Sequence, residues 1–449
     1  MTHHSGFEVS HSTLDDTLED IGLGPLHYKL IAMCASSYFA AGAEFMILAF
    51  ISLDVQNEFK IDKIQYASIA STAAGVAIFS GFVFGRFADK IGRRLPFLIA
   101  QILIVGFGLA CACSWSFTSL IVFRSFVAVG LGGLQSIDYI VLLETVPPSK
   151  KILAGQLVFF SGCIGLVFLA AANLLIADRA PDPSMRWRYL MGLAALVTLP
   201  SLILRFSLKF ETPRWLLSVG RVEEMRQILL DLSGQAEIPN LENLRKMIHK
   251  KTRTDFSDLF ATIFENTTIP ICLIWIIQGF VFTGSHLFLK ESLQESGVNS
   301  DLVYLFLACC EVPGVLISGW LSHRISRSFT LKLFLCLATL SAASASAAAA
   351  GDGRSIWISI SVCSFYGFLV PCWGVLFLLT PECYPAELKA TAVGFASMGK
   401  QLACVAGPIA AAKIKDSGPV WSMALWSGGC AVAALIASVW LRIPKAQVW

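Results

Sequence analysis

The chain has 449 residues, of which 55% are hydrophobic and only 14% are charged. A soluble domain usually carries about 25% charged residues, so this composition excludes an ordinary water-soluble protein and favours contact with lipid. The formal net charge of +3 is too small to indicate nucleic-acid binding. The Lys and Arg residues stand in short clusters between long apolar blocks, as they do in the loops of membrane proteins.

The first 27 residues are polar and acidic and contain no Lys or Arg. A signal peptide needs a basic start followed by an apolar run, so this segment is predicted to be a tail. The first membrane-spanning helix then serves as the insertion signal.

Twelve apolar blocks follow, each long enough to cross about 30 Å of hydrocarbon as a helix. Helices are required because lipid offers no partner for backbone N–H and C=O groups. The predicted spans are residues 28–52, 66–85, 95–114, 117–142, 152–176, 187–207, 266–289, 300–321, 329–350, 355–379, 390–412 and 418–441. We therefore predict an all-α membrane protein with twelve transmembrane helices in two six-helix, pseudo-symmetric halves.

One long polar segment divides these spans into two sets of six. The predicted organisation is a tail at 1–27, a first half at 28–207, a linker at 208–265, a second half at 266–441 and a tail at 442–449. Within the linker, residues 221–232 and 241–251 have the pattern of short amphipathic helices.

The distribution of basic residues predicts the orientation. Twelve spans place both termini on one side, and the loops on that side hold most of the Lys and Arg residues. Because basic loops stay in the cytosol, both termini are predicted to be cytosolic. We expect a monomer, in the plasma membrane rather than an internal membrane.

A motif recurs at equivalent places in the two halves. The loop after the second span contains Gly85, Asp89, Gly92, Arg93 and Arg94. Its glycines permit a tight turn, and Asp89 is placed to bind a helix N-terminus and the neighbouring Arg residues. The loop after the eighth span keeps Arg324 but has His for the acid and Ser for the second Gly. This repetition predicts an internal repeat.

These loops resemble the signature loop of the major facilitator superfamily. Residues 124–133, 211–216 and 381–391 resemble motifs of its sugar porters and organic ion transporters, and they contain Arg124, Glu211, Arg214 and Glu382. Residues 132–151, with Glu144, look like the branch of synaptic-vesicle-protein-like and metabolite:proton symporters, which is related to organic cation and anion transporters. The resemblance implies alternating access around a central site between the halves.

The chain departs from the family pattern in two ways, of which the first, in the seventh helix, counts against a sugar. Sugar porters usually have a Gln pair in the seventh helix, where this chain has the single Gln278. The first outer loop, at about 53–65, is short and lacks Cys, unlike that of animal organic ion transporters.

Charged residues inside a span are costly and mark function. In proton-coupled relatives, an acid of the first helix and an Arg of the fourth form a protonation switch, a role that the resemblance assigns to Glu44 and Arg124. A static ion pair that braces the half-bundle is the alternative. Asp138 is interpreted as an inner proton relay or cation contact, and a structural hydrogen bond is an equal alternative.

Residues 396–400 resemble the place where organic anion transporters have a cationic residue for the substrate carboxylate, a role that the resemblance assigns to Lys400. Glu311 is its expected counter-ion, so a simple Lys400–Glu311 pair is the alternative. The other predicted substrate-binding residues are Gln135, Gln156, Gln278, Tyr366 and Trp373. The predicted gating residues are Gly85, Asp89, Gly92, Arg93, Arg94, Glu144, Glu211, Arg214, Arg324 and Glu382.

The sequence thus predicts a secondary active transporter of a small organic ion, a carboxylate-bearing metabolite, coupled to protons and embedded in a lipid bilayer. A facilitative carrier for a neutral solute such as a sugar, or a receptor that transports nothing, remain alternatives. No nucleophile–base–acid set, phosphate-binding loop or metal cluster is recognisable, so we expect neither an enzyme nor a cofactor.

Overall fold

The computed structural model describes residues 9–180, 182–234, 259–260, 265–295, 297–350, 355–384 and 389–441. Across these ranges the regular structure is helical, and none of it is strand. The helices are α1 (Val9–Ile21), α2 (Pro25–Phe59), α3 (Lys63–Ile91), α4 (Arg94–Ala112), α5 (Phe117–Thr145), α6 (Lys151–Arg179), α7 (Pro183–Leu196), α8 (Leu199–Ser207), α9 (Pro213–Ser218), α10 (Val222–Ser233), α11 (Glu265–Leu287), α12 (Leu289–Glu295), α13 (Ser300–Arg324), α14 (Arg327–Ala350), α15 (Ser355–Glu382), α16 (Lys389–Lys415) and α17 (Pro419–Val439). The predicted helix at 241–251 and the tail at 442–449 lie outside the described residues.

Eleven stretches of the described chain are long and apolar enough to cross a membrane. One of them, Ser184–Ser207, combines α7 and α8. The remaining predicted span, the eleventh in chain order, is α16, which carries Lys400 in its middle and Lys413 and Lys415 in its last turn. It nevertheless packs along its length against α3 and α11. The predicted twelve-helix architecture is confirmed.

The helices form two bundles that meet along two contacts. The first half contains α2 to α8, and the second contains α11 to α17. The halves touch where α3 packs on α16 and where α6 packs on α13. We call the membrane face at which α2 begins and α17 ends the terminal face, and the opposite one the distal face.

Several segments differ from the predicted boundaries. The predicted sixth span is broken at residues 197–198, because Pro200 has no N–H to continue the hydrogen-bond ladder. The first distal loop is shorter than predicted, since α2 continues to Phe59 and α3 starts at Lys63. Asp62 ends this loop by accepting a hydrogen bond from the backbone of Gln65, which caps α3.

The predicted N-terminal tail includes helix α1. Leu14 and Leu18 are buried in a separate apolar cluster with Trp215 of α9 and with Met225 and Leu229 of α10. The tail and the start of the linker are thereby joined into one layer on the terminal face.

Glycines allow α2 and α6 to pack backbone to backbone. A Cβ atom on Gly165 would stand 1.9 Å from the carbonyl oxygen of Phe39. On the facing helix, a Cβ on Gly42 would stand 2.1 Å from the carbonyl oxygen of Gly162. Because these neighbours are backbone atoms, the helices must separate to admit any side chain.

Replacing Gly165 with Ala is therefore expected to destabilise the protein by about 3 kcal/mol or more, at the upper end for overpacked cores. The measurement is thermal unfolding of the purified protein in detergent. Gly106→Ala on α4 is the matched control, because nothing lies within 4 Å of a Cβ at that position. Equal melting temperatures for the two variants would contradict this account of the α2–α6 contact.

Candidate functional site

Glu44 and Arg124 form an ion pair inside the first half. Arg124 Nη1 binds Glu44 Oε2, and Nη2 donates to the backbone carbonyl of Glu44 at 2.7 Å. The side chains are only 1% and 5% exposed. Tyr66 of α3 and Cys111 of α4 are the other titratable groups around this pair. The described groups around the pair thus belong to α2, α3, α4, α5 and α7, all in the first half.

Asp138 lies further toward the terminal face on α5. It is 1% exposed, and its Oδ1 atom has no hydrogen-bond partner among the described residues. Cys34 and Ser37 of α2 and Arg205 of α8 are its polar neighbours. Asp138 is therefore a second buried acid of the first half, near a second Arg.

A row of aromatic rings runs through the second half from Lys400. Lys400 Nζ lies 5.3 Å from the centre of the Trp373 ring. The distances between successive ring centres are 6.2 Å from Trp373 to Phe282, 4.9 Å from Phe282 to His286 and 4.1 Å from His286 to Tyr366. A cation beside the face of an indole is favourable, so this row offers a positive charge at one end.

Glu311 stands near the other end of the row. It is 2% exposed, and Tyr366 and Cys163 are among the titratable groups that its charge affects. No described residue forms an ion pair with Glu311 or with Lys400, so the two do not pair with each other as the alternative interpretation required. Glu311 Oε1, the Tyr366 hydroxyl, the Trp373 indole nitrogen and both His286 nitrogens have no hydrogen-bond partner within the described ranges. Such a concentration of unpaired buried polar atoms is rare unless a ligand or water binds there.

The first half covers this row. Phe45 of α2 stacks on Phe282, with ring centres 4.8 Å apart and an angle of 17° between the rings. Phe159 and Cys163 of α6 pack against the same cluster. The aromatic row therefore lies at the contact between the halves, where transporters of this architecture bind substrate.

The predicted glutamines occupy three different environments. Gln278 is buried and donates to the carbonyl of Leu369 at 2.8 Å, which leaves its own oxygen unpaired. Gln156 lines a cleft between the halves on the terminal side, and its amide nitrogen is unpaired among described groups. Gln135 is exposed, one turn before Tyr139 on the helix face that lines this cleft.

The cleft is bounded by both halves. Its lining residues are Tyr38, Tyr139, Gly155, Gln156, Phe159, Val315, Ser318, Gly319, Ser322, Gly374, Val375, Phe377 and Leu378. By helix direction, these residues lie between the centre of the bundle and the terminal face.

The distal side, by contrast, is held together by polar contacts between the halves. Gln56 donates to Glu291 at 2.8 Å, Ser71 donates to the carbonyl of Val405 at 2.8 Å, and Lys63 pairs with Asp416 at 2.6 Å. The hydrogen bonds between halves that the described residues show all lie in this distal part.

The short helix α12 supplies the most buried of these contacts. Lys290 pairs with Asp301 at 2.8 Å and donates to the carbonyl of Phe50 at 3.3 Å. Asp301 also accepts from Asn173 at 2.9 Å and from Arg186 at 3.1 Å. We call these five residues the distal latch. Burial lowers the pKa of Lys290, while the charge of Asp301 opposes that shift.

On the terminal face, the carboxylate of Glu211 binds the N-terminus of α4. It accepts hydrogen bonds from the backbone N–H groups of Arg93 at 2.7 Å and Arg94 at 3.1 Å, where α4 begins. The sequence led us to expect Asp89 both at a helix N-terminus and paired with a neighbouring Arg; the structure shows only the pairing, with Arg93 at 2.8 Å. Gly92 has φ of 112°, and a Cβ there would meet the Glu211 carboxyl carbon at 2.6 Å. Burial raises the pKa of Glu211, although its bonds to Arg93 and Arg94 oppose the shift.

Arg93 connects this group to the end of α5. It pairs with Glu144 at 3.0 Å, and Glu144 also accepts a hydrogen bond from Thr212. Burial by itself would lower the pKa of Arg93, but Glu144 and Asp89 outweigh it and raise the pKa. Trp215 donates to the carbonyl of Asp89 at 2.9 Å.

Helix α1 is attached to the same layer. Asp15 pairs with Arg214 of α9 and, at 3.1 Å, with Lys151 of α6. Glu19 accepts from the backbone N–H of Ser149 at 3.0 Å. The first-half loops, the linker and α1 therefore form one network.

In the signature loop of the second half, Arg324 was the predicted gating residue, but a different Arg forms the ion pair. Arg327, at the start of α14, forms an ion pair with Glu382 at the end of α15. Arg324 is exposed, with its guanidinium 5.9 Å from the centre of the Trp320 ring.

The spacing of the two signature loops is a sequence signal that could have identified Arg327. Eight positions separate Gly319 from Arg327, as eight separate Gly85 from Arg93. His286 and Phe282 were also absent from the predicted site. A lone His and a Phe within a span carry no local signal, because such residues are usually structural.

The sequence profile of the Major Facilitator Superfamily matches residues 33–408. The chain belongs to the major facilitator superfamily. It is accordingly a membrane transporter and not an enzyme.

Several relatives fall in the predicted branch of the superfamily. The niacin transporter NiaP of Acinetobacter baylyi is 25% identical over 402 residues, which are 87% of this chain and 88% of that protein. The synaptic vesicle 2-related protein of Xenopus laevis is 24% identical over 456 residues, which are 96% of this chain and 80% of that protein. Solute carrier family 22 member 7 of Rattus norvegicus is 27% identical over 391 residues, or 84% of this chain and 65% of that protein.

Solved structures share the fold. The inward-open conformation of the xylose transporter XylE from E. coli superposes with a TM-score of 0.78 at 15% identity, over 94% of this chain and 98% of that chain. The proton:xylose symporter XylE bound to 6-bromo-6-deoxy-D-glucose gives a TM-score of 0.76 at 16% identity, over 93% and 96%.

Proposed function

We propose that this transporter carries a small organic anion, a carboxylate-bearing metabolite, together with protons by alternating access. The observation that carries the proposal is the Lys400 ammonium, which lies beside Trp373 near the middle of α16 with no carboxylate partner among the described residues. A cation within a membrane-spanning helix is costly without a counter-ion, and a substrate carboxylate would neutralise it. The similarity to niacin transporters supports a flat aromatic carboxylate as the substrate class.

The aromatic row suits such a ligand. With its carboxylate at Lys400, a flat ring would stack along Trp373 and Phe282. The groups near Tyr366 and Glu311 would then face the far edge of the ring, where they can bind a ring nitrogen or a polar substituent. Gln156, Gln278 and Gln135 are proposed as further polar contacts on the way to the terminal face.

The Glu44–Arg124 pair and Asp138 are proposed to couple protons to this movement. Burial favours a neutral carboxyl group and the adjacent Arg favours the ionised one, so a small change in their geometry shifts proton affinity. A change of this kind between two conformations links protonation to transport.

The state seen here is proposed to be inward-facing. This follows if the terminal face is cytosolic, as the basic loops indicate, because the distal side is closed by contacts between the halves and the cleft lies on the terminal side. The loops around Arg93, Glu144, Glu211 and Glu382 would change partners as the halves rock. The plasma membrane is the proposed location, with a monomer as the working unit.

Purified protein in liposomes tests the proposal with radiolabelled nicotinate. Counterflow and uptake driven by an inward proton gradient are both expected for the wild type. Lys400→Ala is expected to raise KM about 10-fold to 150-fold, since a hydrogen bond to a charged group contributes about 1.5–3 kcal/mol. Lys413→Ala, an exposed position on the same helix, is the matched control.

Two results would contradict the proposal. Unchanged affinity for nicotinate and other carboxylates in Lys400→Ala would remove the anion site. Xylose transport without any carboxylate transport or pH dependence would instead favour the neutral-solute carrier.

A further inference from the structure

The first half contains buried polar side chains that the candidate site does not use. Gln101 of α4, Thr198 between α7 and α8, and Ser201 of α8 are all 0% exposed. Gln101 donates to the Ser201 hydroxyl, which donates to the carbonyl of Met33 at 3.1 Å. The oxygen of Gln101 and the hydroxyl of Thr198 have no hydrogen-bond partner among the described residues.

One end of this series of polar groups lies near the carboxylate of Glu44. If Gly108 of α4 carried a Cβ atom, that atom would stand 3.7 Å from Glu44 Oε1 and 2.6 Å from the Cβ of Ala195 on α7. Glu44 therefore points into the contact between α4 and α7. Thr198 follows Ala195 by three residues, and Gln101 precedes Gly108 by seven, so each lies on the same helix face, toward the terminal side.

The other end of the series lies near Asp138. Ser37 precedes Glu44 by seven residues on α2, about 10 Å along the helix axis, and it neighbours Asp138. Arg205 is 1% exposed with its Nε unpaired among described groups, and its charge acts on Asp138 and on Glu211 at the terminal face. The series thus leads from Glu44 toward the terminal surface within the first half.

The break in the sixth span lies at the same place. Thr198 stands at the interruption between α7 and α8. The backbone stays helical there, since the Thr198 N–H is bonded to the carbonyl of Ala195 and the Thr198 carbonyl accepts from Leu202. The observation that points to bound water along this series is therefore the set of buried, unpaired side-chain groups of Gln101, Thr198 and Ser37.

We infer that Gln101, Thr198, Ser201 and Ser37 form a hydrated proton path between Glu44 and Asp138 within the first half. The inference rests on the proposed proton coupling. A proton leaving the Glu44 carboxyl passes along waters held by these groups and arrives at the Asp138 carboxylate, so charge and atoms balance. The titratable or charged neighbours are Arg124, Cys111 and Tyr66 around Glu44, and Cys34, Tyr38, Tyr139 and Arg205 around Asp138.

Radiolytic hydroxyl-radical labelling of the full-length protein tests hydration without any substrate. Met33 and Met46 are both on α2 and are 0% and 1% exposed, but only Met33 contacts the series through its backbone. We expect Met33 and Cys34 to be labelled about five times faster than Met46, because buried water supplies the radicals. Equal labelling of Met33 and Met46 would overturn the inference whatever the substrate is.

Transport tests the path itself. Gln101→Leu and Ser201→Ala are expected to reduce gradient-driven nicotinate accumulation about tenfold or more, while nicotinate counterflow changes less than about twofold, because exchange moves no net proton. Ser207→Ala, at the exposed end of α8, is the control.

The outcomes separate the two proposals. If the wild type accumulates nicotinate and both variants do so equally well, the path is wrong and the coupling stands. If the wild type exchanges nicotinate but never accumulates it, the coupling fails and the path fails with it. If nicotinate is not carried at all, the substrate is wrong and the labelling result alone decides whether the path exists.

Discussion

Glu44→Gln is expected to abolish proton-driven accumulation while counterflow continues. Gln keeps the length of the side chain and can still accept a hydrogen bond from Arg124, so the half-bundle should remain folded. It cannot bind and release a proton, however, and the proton gradient then has no group through which to act. Accumulation should fall about 100-fold, within the range of lost acid–base function.

The readout is nicotinate uptake into liposomes with and without an imposed proton gradient. Glu224→Gln, which makes the same change in an exposed pair on α10, is the matched control. Arg124→Ala should instead cost about 3–5 kcal/mol of stability, because it leaves a buried carboxylate unpaired. Full gradient-driven accumulation by Glu44→Gln would reduce the pair to a structural brace.

Lys290→Met is expected to open the distal side. Met fills a similar volume but loses the ion pair with Asp301 and the hydrogen bond to the Phe50 carbonyl. The Lys290–Asp301 pair lies within the second half, so only the lost bond to the Phe50 carbonyl acts between the halves. A hydrogen bond from a charged donor contributes about 1.5–3 kcal/mol, which corresponds to a shift of about 10-fold to 150-fold between closed and open forms.

Spin labels at Lys60 and Ser417 would measure this shift, since both are exposed residues on distal loops of opposite halves. Pulsed dipolar spectroscopy should show a longer distance becoming dominant in Lys290→Met. Lys413→Met, an exposed lysine near the same face, should leave the distribution unchanged. A single short distance in both variants would mean that the latch does not hold the distal side closed.

The spans were predictable because crossing a bilayer requires a length of apolar sequence, which is a local property. The break at 197–198 was less visible, since Pro200 is tolerated in many spanning helices. Asp138 and Glu311 could be singled out because charges in apolar blocks are conspicuous.

Their partners could not be predicted in the same way. Glu211 rather than Asp89 binds the start of α4, and Lys400 lies over Trp373 rather than beside Glu311. These choices depend on how segments more than a hundred residues apart pack against each other. The polar series through Gln101 and Ser201 is invisible in sequence, because single polar residues in spans gain meaning only when four helices place them side by side.

The layer formed by α1, α9 and α10 has a practical consequence. Asp15 and Glu19 attach α1 to parts of the first half and to α9. A rigid protein fused through a continuous helix to the start of α1 would therefore move as one body with that half. Such a fusion would give electron cryomicroscopy an orientation marker outside the detergent belt, and rocking of the second half would be seen directly against it.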